Sequence, residues 1–223
     1  GHTYAQLRFQ DSLPVWRGDR FIIRQFSPVV TIGGGHIIDA QAPKHRIDEK
    51  WEPRMKVLHS GNPANVMEVL VQDNRYGVGA AEITARTAWL DEELEMAAQV
   101  LVADGKIVRV SHQPAYFVHR DAFRSAISET TQFLTTFHEK NRLLPGITKE
   151  TLRTLQFAEA SPLFFDAVLL QLVKDSTIAV TGEVVRLAKH QVVLEEEETV
   201  ERERIASIFL QAGLSAPTLS ELL

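Results

Sequence analysis

Leu101-Val102-Ala103-Asp104-Gly105-Lys106-Ile107 returns 71 residues later as Leu172-Val173-Lys174-Asp175-Ser176-Thr177-Ile178, and the same offset carries His119 onto His190. A repeat of this period means two copies of one supersecondary unit, each packed around its own core. In the first copy Asn62-Pro63 starts a helix, an N-cap residue followed by proline at the first helical position. Val66, Val69 and Leu70 are its apolar stripe, and Gly77 and Gly79 break it. Residues 80–87 form a short helix. Asp91 caps the next one, with Leu94, Ala97, Ala98 and Leu101 facing inward and Gly105 as its stop. Residues 106–110 and 115–119 are short strands around a turn ending at Pro114.

The second copy follows the same order. A helix over 121–139 places Phe123, Ile127, Thr130, Leu134 and Phe137 on one face. Pro145-Gly146 is a turn, and Thr148 caps a short helix running to residue 155. Ser161-Pro162 opens a helix with Leu163, Phe164, Val168, Leu169 and Leu172 inside. Strands 177–181 and 184–187 meet at Gly182-Glu183, a two-residue hairpin turn with glycine first. Three helices followed by a hairpin are the winged-helix layout, a variant of helix-turn-helix. A third copy begins near Glu195 as a helix over 195–212, with Val200, Ile205, Ile208 and Phe209 on its apolar side, and 217–223 opens its second helix.

Ahead of the repeat the pattern is β. Residues 4–9 alternate, with Tyr4, Gln6 and Arg8 on one side and Ala5, Leu7 and Phe9 on the other, as in a half-buried strand. Strands over 20–26 and 29–39 follow, joined at Ser27-Pro28. Gly33-Gly34-Gly35 inside the last predicts a bulge or a close backbone approach. A phosphate loop is excluded there, because no GxxxxGK[ST] is present and no helix opens behind the triplet. Three strands leave open edges, so they are expected to be the end of a larger barrel. A polar connector with Lys44, His45, Arg46 and Lys50 leads to a helix from Trp51, with Trp51, Met55 and Leu58 on one face. The expected fold is mainly α with small β: the end of a β-barrel domain followed by tandem winged helices. Its parts are barrel strands over 1–42, a linker helix over 43–60, winged helices over 61–119 and 120–192, and the start of a third over 193–223.

Charge narrows the function classes. With 24 Lys and Arg against 29 Asp and Glu, the net charge of −5 excludes a uniformly basic nucleic-acid coat, so any such contact is a local patch. Two patches qualify: Arg8, Arg17, Arg20 and Arg24 in the β region, and Lys140, Arg142, Lys149 and Arg153 flanking the turn at Pro145. The third helix of each copy, the usual groove reader, is poor in cations. The first carries Asp91, Glu92, Glu93 and Glu95; the second sets Lys174 against Asp166 and Asp175. Cysteine is absent, which removes disulfides and thiolate metal sites and fits a reducing compartment. No spanning segment or secretory leader is expected, and a cytoplasmic location follows. No HExxH, histidine pair at i, i+4, or GxSxG elbow occurs. The expectation is a non-enzymatic stretch without a metal site.

Gly18-Asp19-Arg20-Phe21-Ile22-Ile23-Arg24, then Ser27-Pro28, Thr31-Ile32-Gly33-Gly34-Gly35 and Asp39, closely resembles the end of the third domain of bacterial selenocysteine-specific translation elongation factors, the SelB family. Ala5-Gln6-Leu7-Arg8 fits the same family, and the tandem winged helices behind match its C-terminal extension. The resemblance implies a factor that carries selenocysteyl-tRNA to the ribosome. Its GTPase domain and barrels bind GTP, Mg and the tRNA, while four winged helices reach toward an mRNA hairpin that recodes UGA. It also implies that the GTPase motifs, the amino-acid pocket, most of the barrel and the last winged helix lie outside this sequence. The stretch itself is then expected to hold no cofactor and to act as a spacer. A tandem winged-helix DNA-binding regulator and a protein-interaction scaffold are the alternatives.

Overall fold

The computed structural model describes residues 3–42, 51–192 and 196–212. The connector cations Lys44, His45, Arg46 and Lys50, and the helix expected over 217–223, lie outside the described residues. Two antiparallel strands, β1 (Arg20–Gln25) and β2 (Val30–His36), come first. Their register shifts between Ile23 and Arg24, which face Gly33 and Thr31, so Ile32 is the extra residue of a bulge beside the glycine triplet. Gly34 is where the close approach falls. A Cβ there would lie 2.6 Å from the Phe21 carbonyl oxygen, whereas one at Gly33 would meet nothing within 4 Å.

The strand expected over 4–9 is absent, and residues 3–9 run as irregular chain. Alternation is a strand signal only where a neighbour supplies ladder partners. Leu7 and Phe9 remain 45% and 58% exposed, so no buried face forms on that side.

Helix α1 (Trp51–Ser60) is followed by α2 (Pro63–Gln72). The Asn62 side chain accepts from the Asn65 N–H at 3.2 Å, the N-cap that its sequence predicts. Next come β3 (Val78–Gly79), α3 (Ala80–Thr87), α4 (Asp91–Ala103), β4 (Ile107–His112) and β5 (Ala115–His119). Asp91 is the first helical residue of α4 and not its cap. Leu90 takes the cap position, and its N–H donates to Glu93 Oε2 at 3.1 Å.

The second repeat comprises α5 (Arg120–Lys140), β6 (Ile147–Thr148), α6 (Lys149–Gln156), α7 (Pro162–Lys174), β7 (Ile178–Thr181) and β8 (Val184–Leu187). Thr148 caps α6 by accepting from the Thr151 N–H at 3.1 Å. The sheets have one topology, β3-β5-β4 and β6-β8-β7, with the last strand of each repeat central. Helix α8 (Glu196–Ala212) ends the described chain. It exposes Val200, Phe209 and Leu210, while Ile205 and Ile208 are half-buried.

The repeat is exact at the turn after the third helix. Gly105 and Ser176 both have positive φ (65° and 54°), and Lys106 and Thr177 each bond back to the carbonyl of the leucine five residues earlier at 2.9 Å. It fails for the histidines. Ile107 pairs with His119, but Ile178 pairs with Leu187, because the second hairpin is three residues shorter. Leu187 is therefore the counterpart of His119, and His190 lies beyond the sheet.

The chain forms two compact units, one of residues 1–128 with 157–171, the other of 129–156 with 172–223. In the first, a continuous core joins Leu58 of α1 to Val66, Met67, Leu70 and Val71 of α2, Ile83 of α3, Leu94 and Leu101 of α4, and Phe117 of β5, with Ile38 packed against it. Burying each such side chain contributes about 2 kcal/mol, which is why the β region's end and the first winged helix cohere. Tyr76 meets the Phe164 ring edge-on at 5.5 Å, and Phe123 and Phe157 also contact Phe164 in this unit. Buried Leu134, Ile147, Leu152, Leu172, Ile178 and Val185 belong to the second unit.

Candidate nucleic-acid interface

Helix α4 presents an acidic and apolar surface. Asp91, Glu92 and Glu93 are exposed in its first turn, and Met96 and Val100, one turn apart, are 65% and 50% exposed. Glu95 accepts from Arg109 at 2.7 Å and from Gln99 at 3.1 Å, and the Arg109 bond holds its carboxyl below the usual carboxylate range. Arg109 is thus engaged by a carboxylate, and the start of the helix facing a phosphate would be anionic. Helix α7 exposes Asp166, Leu170, Val173 and Lys174.

The β-region arginines do not form one stripe. Arg20 and Arg24 are exposed on one face of β1 with Ile22 between them. Arg17 is half-buried, and its guanidinium donates to the Leu58 carbonyl at the end of α1. Burial lowers its pKa, opposed by the Asp39 charge. Arg17 therefore works as a tie between the strands and α1. Arg8 is exposed on the irregular segment that replaces the expected strand.

The cations of the second patch all belong to the second unit. Lys140 is exposed at the C-terminus of α5. Lys149 and Arg153 lie one turn apart on α6, and Lys149 Nζ is 3.9 Å from Glu183 of the hairpin turn. Arg142 borders a groove of about 540 Å³ formed with Thr135, His138, Glu139, Leu187, Lys189, His190 and Gln191.

This groove is the feature that sequence reading missed. The rings of His138 and His190 stack at 3.6 Å and 20°. His138 is 6% exposed; its Nε2 accepts from the Leu187 N–H at 3.3 Å, and its buried Nδ1 has no partner. Those bonds fix the neutral tautomer with hydrogen on Nδ1. His190 Nε2 donates to the Leu144 carbonyl at 3.0 Å. Arg186 Nη1 donates to the carbonyls of Leu187, Ala188 and His190, which shapes the chain leaving β8 so that His190 lies over His138. Burial first, then the charges of His190 and Arg186, push the His138 pKa down. The helical phase of α5 placed Leu134 and Phe137 inside; His138 beside them was the available signal.

Among the described residues no group of three or more His, Cys, Asp or Glu side chains converges, and no helix is long and apolar enough to cross a membrane.

Comparison with known proteins places these parts. The family model described as "Selenocysteine-specific elongation factor, beta-barrel domain" matches residues 1–44. The one described as "Elongation factor SelB, winged helix" matches residues 131–187. A selenocysteine-specific elongation factor of Desulfomicrobium baculatum is 26% identical over 218 residues, covering 96% of this chain and 34% of that protein. The chain thus spans about a third of that relative's length. Its first 44 residues are thus similar to the barrel domain, and residues 131–187 to a winged helix, of selenocysteine-specific elongation factors, and the match to the Desulfomicrobium baculatum factor runs through both.

Proposed function

We propose that this chain is the arm of a factor that delivers selenocysteyl-tRNA to the ribosome at recoded UGA codons, spanning from the tRNA-binding body toward the element that grips an mRNA hairpin. The observation that carries the spacer role is the buried junction between the β region and the first winged helix. Arg86 of α3 is 3% exposed and donates to Asp39, just after β2, at 2.6 and 3.3 Å. Asp73, at the C-cap of α2, lies 3.5 Å from the same guanidinium and also pairs with Arg54 of α1. An arm that transmits position needs such a fixed root. A DNA-reading role fits poorly with the anionic start of α4. The exposed Met96 and Val100 favour protein contact by that helix as a second reading.

In this reading GTP and Mg bind the GTPase part of the full-length factor and not the present stretch, and the protein works in the cytoplasm. The test compares this chain with a version extended through further winged helices. The extended protein binds a UGA-proximal mRNA hairpin far more tightly at physiological salt; equal affinity sinks the spacer role. A nucleotide titration of this chain yields no saturable GTP binding, and tight binding overturns the division of labour.

A further inference from the structure

The groove beside the His138–His190 stack carries three features of a single-stranded nucleic-acid site. Its lining holds a stacked pair of flat rings, His138 oriented by the Leu187 N–H and His190 by the Leu144 carbonyl. Its border holds Arg142 and exposed Lys189 against the single carboxylate of Glu139. Thr135 and Gln191 add neutral polar groups, and Leu187 adds apolar surface. The volume of about 540 Å³ suits an unstacked nucleotide. An aromatic platform between cations that track phosphates is the common solution for unpaired strands, because every base offers a π-face. Buried His138 Nδ1 without a partner marks a place where folding accepts a cost, as functional sites do. The groove's surplus of cations favours RNA over an acidic peptide, and the half-exposed His190 ring in its lining favours an unpaired base over a duplex.

We propose that this groove in the second winged-helix repeat binds one unpaired nucleotide of RNA, its base stacking against His190 and its flanking phosphates meeting Arg142 and Lys189. The proposal rests on the RNA-handling role above and adds to it a second, weaker foothold on unpaired RNA away from the mRNA hairpin.

The experiment is fluorescence anisotropy of the chain with a labelled single-stranded RNA of about eight nucleotides and with a duplex of equal length. The single strand is expected to bind more tightly. His190→Ala should weaken it about tenfold, while His190→Phe, which keeps a ring face, should restore most of the loss. Lys189→Ala should reduce the salt dependence by about 0.7 in log–log slope. Lys56→Ala, exposed on α1 in the first unit, should leave both the affinity and the preference for the single strand intact. Unchanged binding in His190→Ala and Lys189→Ala overturns the site, as does equal affinity for the duplex. Failure to bind RNA, with crosslinks from groove residues to a ribosomal protein, replaces the RNA ligand by a protein one. If the extended protein still binds the mRNA hairpin in either case, the spacer role stands and only the groove assignment falls.

Discussion

Arg86 grips Asp39 with two hydrogen bonds, Nη2 to Oδ2 at 2.6 Å and Nε to Oδ1 at 3.3 Å, and both side chains are more than nine-tenths buried. Burial opposes the Arg86 charge, but the Asp39 bonds, with the charges of Asp39, Asp73 and Glu82, outweigh it and hold its pKa above the ordinary value. A buried pair contributes little over an apolar substitute, yet removing one partner strands the other's charge. Asp39→Ala should therefore destabilise the first unit by about 3 kcal/mol, with Asp73 keeping the loss at the lower end of the usual range. Urea unfolding checks this, and Arg86→Met in the same background should recover part of the loss. A loss below about 0.5 kcal/mol for Asp39→Ala would show the pair to be incidental.

That junction was not legible in the sequence. Arg86 and Asp39 look like two ordinary surface charges 47 positions apart, and only the packed fold shows them facing each other. The helices were legible, because spacings such as Leu94, Ala97, Ala98 and Leu101 fix which face is buried, and all four are. The strands β3 and β6 are two residues each and leave no period to detect. Gly77 and Gly146, each just before one of them, were the trace: a Cβ would run into the Phe117 carbonyl oxygen in one and that of Val185 in the other. Residues 4–9 misled in the opposite sense, since alternation carries no information about a partner strand. The four β-region arginines look like one set in the sequence because charge is visible there and engagement is not; Arg17 turns inward to Leu58.

The αL turn ending α7 should be improvable. Ser176 occupies at φ 54° the position that glycine fills at φ 65° in the first repeat. A side chain there costs about 1 kcal/mol, so Ser176→Gly should stabilise the second unit by roughly that amount. Hydrogen exchange at the Thr177 amide, bonded to the Leu172 carbonyl, should slow about fivefold. Faster exchange would mean that the serine side chain makes a contribution larger than the strain.

Within the glycine triplet the three positions should rank by what a methyl group meets. Gly34→Ala puts carbon 2.6 Å from a backbone oxygen, which cannot rotate away. Gly35→Ala meets the Phe21 ring at 3.0 Å, which can shift, and Gly33→Ala meets open space. The β1–β2 pairing should lose about 2 kcal/mol in Gly34→Ala, less in Gly35→Ala, and nothing measurable in Gly33→Ala. Amide exchange of Phe21 and Ile23 checks the order, and equal effects at the three positions would remove the close approach as the reason for the triplet.

His138 should make the second unit acid-sensitive. Its pKa is pushed below the ordinary 6.5 by burial, His190 and Arg186. Between that depressed folded value and 6.5 the unfolded chain therefore binds more protons than the folded one, and stability rises with pH across the window. The contribution is complete above the unfolded pKa and is lost as pH falls through the folded value, at no more than about 1.4 kcal/mol per pH unit. Protonation also places a charge against His190 at 3.6 Å and ends the acceptance of the Leu187 N–H. The Leu187 amide should thus lose exchange protection on acidification below 6.5, beyond the intrinsic pH effect on exchange. His138→Gln, whose amide oxygen can accept the same bond, should flatten the slope while leaving the neutral-pH protection within about threefold. An identical slope in wild type and variant would assign the acid sensitivity to other groups of the unit.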